Sequence, residues 1–333
     1  METFSFSVAS LIKVSLLTFI SFILAMLWTP LLTNLLYKYK LGKKIHKESA
    51  PIFNALHKEK ENTPSMGGLL VWVTTAVITL LFNLSREATY LPLFTLIVTG
   101  LLGLFDDLTN VFGKEGMRAR HKLFWQILIA AIGAFWFYSK LDWGSKGIHI
   151  PGIGDYAIGI WYIPLFIFVI VSTMNAVNIT DGLDGLAGGL LSLAFLAFGI
   201  IALSNGQYGI AGFCGTITGA LLAFLWFNIY PARFMMGDTG SMALGATLGV
   251  IAMLTNSVMV LPVIGFIFVA ETLSVILQFF SKKILRKKIF LSSPFHHHLQ
   301  AKNWPEPKVV MRLWILGAAF AVIGLIIGLL GKG

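Results

Sequence analysis

Long apolar stretches alternate with short polar loops along almost the whole chain. Ten of these stretches are long enough, or nearly so, to cross a hydrocarbon core that needs about 20 helical residues. Their approximate limits are 8–36, 66–84, 90–105, 123–139, 160–177, 186–204, 208–227, 241–256, 258–281 and 311–331. The pattern predicts an all-α integral membrane protein of about ten transmembrane helices, organised as a single polytopic domain over residues 1–333.

The overall composition supports a location in lipid. The chain is 56% hydrophobic and only 12% charged, whereas a soluble domain carries about 25% charged residues. Such a chain can hide its apolar surface only in a bilayer. The net charge of +10 suits either nucleic acid or an anionic membrane surface. Because the basic residues are concentrated in alternate loops, we expect membrane lipids and no nucleic acid as partners.

The basic residues define which loops face the cytoplasm. Segments 37–65, 106–122, 228–240 and 282–312 hold seven, four, one and eight lysines or arginines, which is twenty of the 25 in the chain. With ten spans these four segments share one side, and the positive-inside rule makes that side cytoplasmic. Both termini then lie outside. The sequence therefore predicts a multi-pass membrane protein whose basic loops face the cytoplasm.

One longer segment falls on the opposite, outer side. Residues 140–159 include β-branched positions separated by glycine-containing turns, as in GIHIPGIGDYAIG. This arrangement favours a small β-hairpin.

Five aspartates occur where apolar stretches meet the cytoplasmic loops. Each isolated aspartate is compatible with a solvated helix cap, but these come from three loops on one face and most have glycine close by, as in FDD, TDGLDG and MGDTGS. Glycine allows a ligand to approach the backbone closely, and ionisable groups at membrane depth mark functional sites. The five residues are Asp106, Asp107, Asp181, Asp184 and Asp238.

The same face carries the groups that phosphoryl chemistry requires. Clustered carboxylates suit Mg²⁺, and Lys60 and Lys122 belong to the two neighbouring cytoplasmic loops. A phosphate that attacks a diphosphate meets several like-charge pairs, each worth about 4 kcal/mol at 4 Å and an effective dielectric of 20. Cations must offset that repulsion. The pattern indicates a cytoplasmic cleft for phosphate chemistry with Mg²⁺.

Two further groups of polar residues lie in or beside the ninth stretch. His296, His297 and His298 are consecutive, which is a poor arrangement for zinc and a better one for binding phosphate or a nucleotide. Glu271 and Gln278 are two helical turns apart on one face. They either line a cavity or form hydrogen bonds between helices, and the sequence does not choose between these alternatives.

Seven motifs together resemble the bacterial phospho-N-acetylmuramoyl-pentapeptide transferases, a branch of the polyprenyl-phosphate N-acetylhexosamine-1-phosphate transferase superfamily. They occur in the order of that family and extend over 63–312 at least. They are TPSMGG (63–68), GLFDD (103–107), ARHKLFWQ (119–126), NAVNITDGLDGLAGG (175–189), NIYPARFMMGDTGS (228–241), PFHHH (294–298) and NWPEPKVVMRLW (303–314).

The resemblance implies a specific reaction. Members transfer phospho-MurNAc-pentapeptide from UDP-MurNAc-pentapeptide to undecaprenyl phosphate, and they release UMP and form lipid I with Mg²⁺. This is the first membrane step of peptidoglycan synthesis, which serves cell-wall biogenesis, cell shape and cell division. The family fold has ten transmembrane helices and a cytoplasmic cleft, and the family usually forms a homodimer.

The resemblance also implies roles for individual residues. Asp238 matches the Mg²⁺ ligand, and Asp106 and Asp107 match the pair that positions or deprotonates the lipid phosphate. The substrate-binding positions are Lys60, Lys122, Asn178, Asp181, Gly182, Leu183, Asp184, Asn228, Gln278, His296, His297 and His298. The chain departs from the family pattern mainly in its first loop, where Asn62 and Ser65 replace the usual glycine and threonine.

Two alternatives to the muramoyl reaction remain open at this stage. A transferase that uses UDP-GlcNAc would place the same aspartates around a different donor sugar. An ion-coupled transporter would use intramembrane acids, but the aspartates cluster on one face and no inverted repeat is visible. Within the transferase reading, direct attack by the lipid phosphate is favoured over a covalent phospho-sugar enzyme, because the phosphate is already a competent nucleophile.

Overall fold

The computed structural model describes residues 8–42, 63–85, 88–112, 116–141 and 147–330. Helices dominate these ranges: α1 Val8–Lys38, α2 Gly68–Phe82, α3 Tyr90–Phe112, α4 Ala119–Lys140, α5 Tyr162–Thr180, α6 Leu186–Ser204, α7 Tyr208–Asn228, α8 Gly237–Leu254, α9 Leu261–Ile264, α10 Phe266–Phe280, α11 Phe295–Ala301 and α12 Glu306–Leu330. Short 3₁₀ turns occupy Gly159–Trp161 and Val258–Val260, and a π-turn occupies Ser281–Leu285.

The predicted fold class is confirmed. Among the described residues, eight helices are long and apolar enough to cross a membrane, and a ninth crossing is formed by the bent pair Val258–Ile264 and Phe266–Leu285. Helix α2 is apolar but shorter, with 15 residues. Each of the ten predicted stretches therefore has a helical counterpart. Helices are favoured because their backbone groups pair internally, away from lipid.

The predicted hairpin is also present. Strand β1, Ile148–Ile150, pairs antiparallel with β2, Gly154–Tyr156, and Ile148 lies opposite Tyr156. The backbone N–H of His149 donates a hydrogen bond to Asn256 Oδ1 at 3.0 Å, which attaches the hairpin to the loop after α8.

Several predicted spans have different limits in the structure. Helix α3 continues to Phe112, so Asp106 and Asp107 lie within its last turns and not in a loop. Helix α8 begins at Gly237, which places Asp238 in its first turn. The ninth predicted span is broken at Gly265, where the backbone leaves helical geometry (ψ 26°) and the two parts meet at 80°.

Helix α8 is the centre of the bundle, and small residues let its neighbours approach it. A Cβ placed on Gly68 of α2 would lie 2.2 Å from the Cα of Gly240. A Cβ on Gly103 of α3 would lie equally close, 2.2 Å, to the carbonyl oxygen of Asp238. Close approach of this kind drives helix association in lipid. As a result, the N-terminus of α8 is held within contact distance of the aspartates of α3.

We expect Gly103→Ala to destabilise this crossing. The added methyl group cannot be accommodated 2.2 Å from a backbone oxygen, so α3 and α8 must separate, at a cost of about 1–3 kcal/mol. The thermal unfolding midpoint in detergent should fall, and catalytic activity should fall with it because the site lies at the same crossing. Leu101→Ala is the control, since Leu101 is 51% exposed on the same helix. An unchanged midpoint for Gly103→Ala would contradict this packing.

Candidate active site

Two carboxylates from different helices converge on one lysine. Lys122, near the start of α4, donates hydrogen bonds from Nζ to Asp106 Oδ2 at 3.0 Å and to Asp238 Oδ2 at 2.5 Å. The side chains of Lys122, Asp106 and Asp238 are only 17%, 9% and 16% exposed. Charges this well shielded interact more strongly than exposed ones. Three separate helices therefore contribute to one compact charge cluster, which we call the Lys122 cluster.

Each of the two carboxylates of the Lys122 cluster also accepts a hydrogen bond from a second group. Asn178, in the last turns of α5, donates from Nδ2 to Asp238 Oδ1 at 3.1 Å and to Ser241 Oγ at 2.8 Å. Asp106 Oδ1 accepts the backbone N–H of Met117 at 2.6 Å. Bonds on both oxygens of each carboxylate fix their orientation, which is the preorganisation that electrostatic catalysis needs.

Asp107 faces a different partner from its neighbour Asp106. Its Oδ2 accepts the backbone N–H of Thr239 at 3.0 Å, and the residue is completely buried. The N-terminal N–H groups of a helix favour negative charge, so Asp107 is bound to the beginning of α8. Of these two consecutive residues of α3, Asp106 therefore binds Lys122, and Asp107 binds the backbone of α8, the helix that carries Asp238.

The turn between α5 and α6 brings the next two aspartates to the same end of the bundle. Asp181 Oδ2 accepts the N–H of Gly237 at 3.1 Å, and Asp184 Oδ2 accepts the N–H of Ala232 at 3.0 Å. Glu306, the first residue of α12, accepts the N–H of Asp184 at 2.7 Å. These bonds connect the turn to the 229–236 segment and to α12. Gly182 and buried Leu183 lie between the two aspartates.

Asn228 ties the same turn to the loop before α8. Its Oδ1 accepts the N–H of Gly185 at 2.9 Å, and its Nδ2 donates to the carbonyl of Phe234 at 2.8 Å. Both polar atoms of this buried side chain are therefore engaged with backbone. Asn228 therefore stabilises the backbone of the turn and of the loop before α8.

The three histidines occupy different environments within α11. His296 is fully buried, and its Nδ1 lies 3.0 Å from Glu271 Oε2. The Nδ1 of buried His297 lies 2.9 Å from Gln300 Oε1. Partial burial, together with the charge of Lys302, lowers the pKa of His298 below its ordinary value. A neutral His298 fits the N–H of Leu291, which donates to its Nδ1 at 3.1 Å.

Glu271 and Gln278 form hydrogen bonds between segments, which was one of the two alternatives for these residues. Gln278 accepts the N–H groups of Ile289 and Phe290 on Oε1, at 3.1 and 3.0 Å, and donates from Nε2 to the carbonyl of Phe290 at 2.9 Å. Its amide therefore fastens the segment after α10 to the helix. The family resemblance implies a substrate-binding position for Gln278, which stays a prediction, and the structure shows its amide bonded to the backbone of residues 289–290.

Most of the predicted site residues come together, with one outside the described ranges. Asp106, Asp107, Lys122, Asn178 and Asp238 form or adjoin the Lys122 cluster, and the 181–184 turn meets it at Gly237. Lys60 lies outside the described residues. Ser241 and Glu306 were missed by the sequence analysis. Ser241 lies one turn after Asp238 and could have been found from that spacing, whereas Glu306 had no local signal.

The donor atoms of the Lys122 cluster suit Mg²⁺. Asp106 and Asp238 offer carboxylate oxygens around one point of positive charge, and Mg²⁺ prefers such hard oxygen ligands with several positions left for water or phosphate. Among the described residues, no group of three or more histidine, cysteine, aspartate or glutamate side chains forms a closed metal site. The arrangement fits a cation shared with a substrate better than a metal cage.

Comparison with known proteins gives a consistent result. The family model of glycosyl transferase family 4 matches residues 89–256. A phospho-N-acetylmuramoyl-pentapeptide-transferase of Geobacillus sp. (strain WCH70) is 42% identical over 316 residues, which cover 92% of this chain and 95% of that protein. The enzyme of the same name from Clostridium novyi (strain NT) is 38% identical over 311 residues, covering 92% and 94%. That of Levilactobacillus brevis is 43% identical over 276 residues, covering 80% and 85%.

Proposed function

The chain belongs to the phospho-N-acetylmuramoyl-pentapeptide-transferases of glycosyl transferase family 4, and from that premise we propose that it transfers phospho-MurNAc-pentapeptide from UDP-MurNAc-pentapeptide to undecaprenyl phosphate. The products are lipid I and UMP. Identity of about 40% over 92% of the chain carries this proposal, and the Lys122 cluster supports it. The chain is a transferase and a multi-pass membrane protein.

The reaction exchanges one phosphoanhydride bond for another. An oxygen of the lipid phosphate attacks the β-phosphorus of the donor. The bond from that phosphorus to the bridging oxygen breaks, and its electron pair leaves with UMP. Because every reactant is anionic, the barrier is dominated by charge repulsion, and the protein contributes through positioning and electrostatic stabilisation.

The residues of the Lys122 cluster are suited to that task. Lys122 is held between Asp106 and Asp238, so its ammonium group has a fixed position. From there it would also attract the anionic oxygens of the substrate phosphates. Asp238, with Asp106 beside it, would hold Mg²⁺, which when bound offsets the charge on the diphosphate and the leaving UMP. Asp106 and Asp107 would orient or deprotonate the lipid phosphate. The turn 181–184 would contact the uridine side of the donor.

We favour direct attack over a covalent intermediate. Asp107, one of the two acids that would have to attack phosphorus, is completely buried, and its Oδ2 accepts the N–H of Thr239 at the start of α8. A lipid phosphate needs no such activation. Incubation with radiolabelled donor in the absence of lipid acceptor should therefore leave the protein unlabelled, and a stable phospho-sugar on Asp106 or Asp107 would establish the covalent route instead.

The orientation and the assembly are also proposed. Two hydrogen bonds bring three segments together at one end of the bundle. At the end of α1, Tyr37 Oη donates to the carbonyl oxygen of Arg233 at 2.9 Å. The N–H of Met235 donates to the carbonyl oxygen of Pro64, shortly before α2, at 2.8 Å. This end carries the aspartates and the lysine-rich loops, so we place it in the cytoplasm of a bacterial cell and both termini outside. A homodimer follows from the family resemblance, and cross-linking in native membranes tests it.

The decisive measurement is UMP release by the purified, detergent-solubilised protein. It receives undecaprenyl phosphate, Mg²⁺ and either UDP-MurNAc-pentapeptide or UDP-GlcNAc. We expect release with the pentapeptide donor alone and its loss on addition of EDTA, with recovery when excess Mg²⁺ is restored. Release with UDP-GlcNAc alone would keep the chemistry and change the donor. Absence of UMP release with both donors would contradict the proposed transferase activity and would favour the ion-coupled transporter instead.

A further inference from the structure

A buried carboxylate–imidazole pair lies against the donor-side turn, and the reaction steps described above do not use Glu271. Glu271 of α10 and His296 of α11 are both completely buried. Glu271 accepts the backbone N–H of His296, at 3.2 and 3.3 Å to its two oxygens, and its Oε2 lies 3.0 Å from His296 Nδ1. Placing a carboxylate inside a membrane span costs free energy, and such residues commonly have a function. We therefore expect these three contacts to do more than pack the two helices.

The contact with Glu271 determines how the imidazole ring carries its protons. An ionised carboxylate only accepts hydrogen bonds, so Nδ1 must be the N–H donor. In the neutral ring the other nitrogen, Nε2, is then an acceptor. A carboxylate on one ring nitrogen commonly orients the ring so that the other nitrogen can act.

His296 Nε2 points at the donor-side turn. A Cβ placed on Gly182 would lie 2.3 Å from this atom, so the ring edge rests on the turn where only glycine leaves room. Nε2 is buried and makes no hydrogen bond to any residue that the structure describes. Such an unsatisfied polar atom costs about 1–3 kcal/mol and is uncommon in native proteins.

The turn that His296 contacts is also bonded to the start of α8. Asp181, next to Gly182, accepts the N–H of Gly237, and Gly237 precedes Asp238. A continuous series of contacts therefore leads from Glu271 through His296 and the turn to the start of α8. We infer that Glu271 is a positioning residue for this transferase: it holds His296 as an Nδ1–H tautomer whose Nε2 acceptor sets the place of the 181–184 turn and thereby the binding of the nucleotide donor.

This inference rests on the proposed function, because the turn is a donor site only if the substrate is a nucleotide sugar. Its first test needs no catalysis. In Glu271→Gln, an amide oxygen left at the Oε2 position would put the NH₂ group against the backbone N–H of His296, 3.2 Å away, so that two donors would oppose each other. We therefore expect the amide to turn, so that its oxygen accepts the backbone N–H and its NH₂ group faces Nδ1. The ring must then change to the Nε2–H tautomer. ¹⁵N-histidine NMR of the detergent-solubilised protein should show that exchange, and an unchanged His296 tautomer would overturn the inference.

The second test is kinetic and is made after wild-type UMP release has been established. Glu271→Gln should raise the KM for UDP-MurNAc-pentapeptide about tenfold and change kcat much less, because the proposed function assigns the turn to the uridine side of the donor and the phosphates to the Lys122 cluster. Ser274→Ala is the matched control. Ser274 is buried on the same helix face and donates to the carbonyl of Glu271, but it has no hydrogen bond with His296. A loss confined to kcat, or an equal loss in the control, would contradict the assignment.

A double-mutant cycle separates positioning from general packing. His296→Gln retains an amide near the Nε2 position and lacks a group at Nδ1, so Glu271 has no ring left to orient. Adding Glu271→Gln to this variant should change the donor KM less than twofold, although it changes it about tenfold in the wild-type background. Multiplicative effects would show that Glu271 acts independently of His296. Absent activity in the wild type would instead count against the proposed function, while the NMR result would stand.

Discussion

Asp238→Asn should abolish most of the UMP release while leaving the protein folded. The substitution removes the charge that Lys122 Nζ contacts at 2.5 Å and that Asn178 Nδ2 contacts at 3.1 Å. An asparagine can satisfy only one of these two donors with its oxygen, and its NH₂ group must face the other. Loss of one preorganised electrostatic group lowers kcat by about 10²–10³-fold, and loss of a Mg²⁺ ligand would add to that.

Purified Asp238→Asn would be compared with the wild type for UMP release and for thermal unfolding. We expect the unfolding midpoint to change little, because Ser241 and the remaining contacts of α8 are kept. Asp155→Asn makes the same chemical change in the outer hairpin, where Asp155 contacts His149 at 2.8 Å with its side chain 63% exposed. That control should be fully active. Near-normal turnover by Asp238→Asn would remove Asp238 from the reaction.

Lys122→Gln should affect both activity and stability. The ammonium separates two carboxylates that are otherwise 9% and 16% exposed, and removal of one partner from a buried ion pair costs about 3–5 kcal/mol. The exposure of Asp106 and Asp238 is small but not zero, so we expect the lower end of that range. Turnover should fall by about 10²-fold or more, because an amide cannot offset the charge of an attacking or leaving phosphate.

The effect of Mg²⁺ on the unfolding temperature of Lys122→Gln tests whether a cation binds at these carboxylates. Mg²⁺ bound between Asp106 and Asp238 would replace the missing charge, so Lys122→Gln should unfold at a higher temperature in Mg²⁺ than in EDTA, and the difference should exceed that of the wild type. Lys122→Arg should recover part of the stability, and Lys140→Gln, at the exposed far end of the same helix, should change nothing. Insensitivity of the Lys122→Gln midpoint to Mg²⁺ would contradict a cation at these carboxylates.

The sequence was sufficient to bring the aspartates to one face, but not to pair them. Alternating apolar stretches and basic loops predicted that Asp106, Asp181 and Asp238 lie on the same side of the membrane, and in the fold all three lie at the same end of the bundle. The common partner Lys122 was assigned only a general role near phosphate. Its bonds to two aspartates depend on the relative depth and rotation of α3, α4 and α8, which loop composition does not encode.

The longer α3 illustrates a limit of reading hydropathy alone. Two consecutive aspartates look like the end of a span, so the apolar stretch was expected to finish at residue 105. The helix continues to Phe112 because Asp106 and Asp107 find partners in Lys122, Met117 and Thr239. A charged residue ends a transmembrane helix only when no neighbouring group compensates it, and that compensation comes from other segments of the chain.

Gln278 and Glu271 show the same limit for function. Their spacing placed them on one face of the ninth span, and both are buried on that face. Gln278 binds the backbone of 289–290, while Glu271 binds His296. The 80° break at Gly265 directs α10 toward these partners, and nothing in the apolar pattern predicts its angle.

The sequence by itself determined the membrane fold and the family of the protein, and it placed the aspartates at one end of the bundle. These depend on local composition and on contiguous motifs, because the bilayer imposes the same length and polarity on every span. Only the tertiary structure decided which charges share a proton donor, which glycine admits another helix and which imidazole nitrogen faces the donor-side turn. Such contacts join residues more than a hundred positions apart, such as Lys122 and Asp238, and depend on helix packing at ångström scale, which no local pattern specifies.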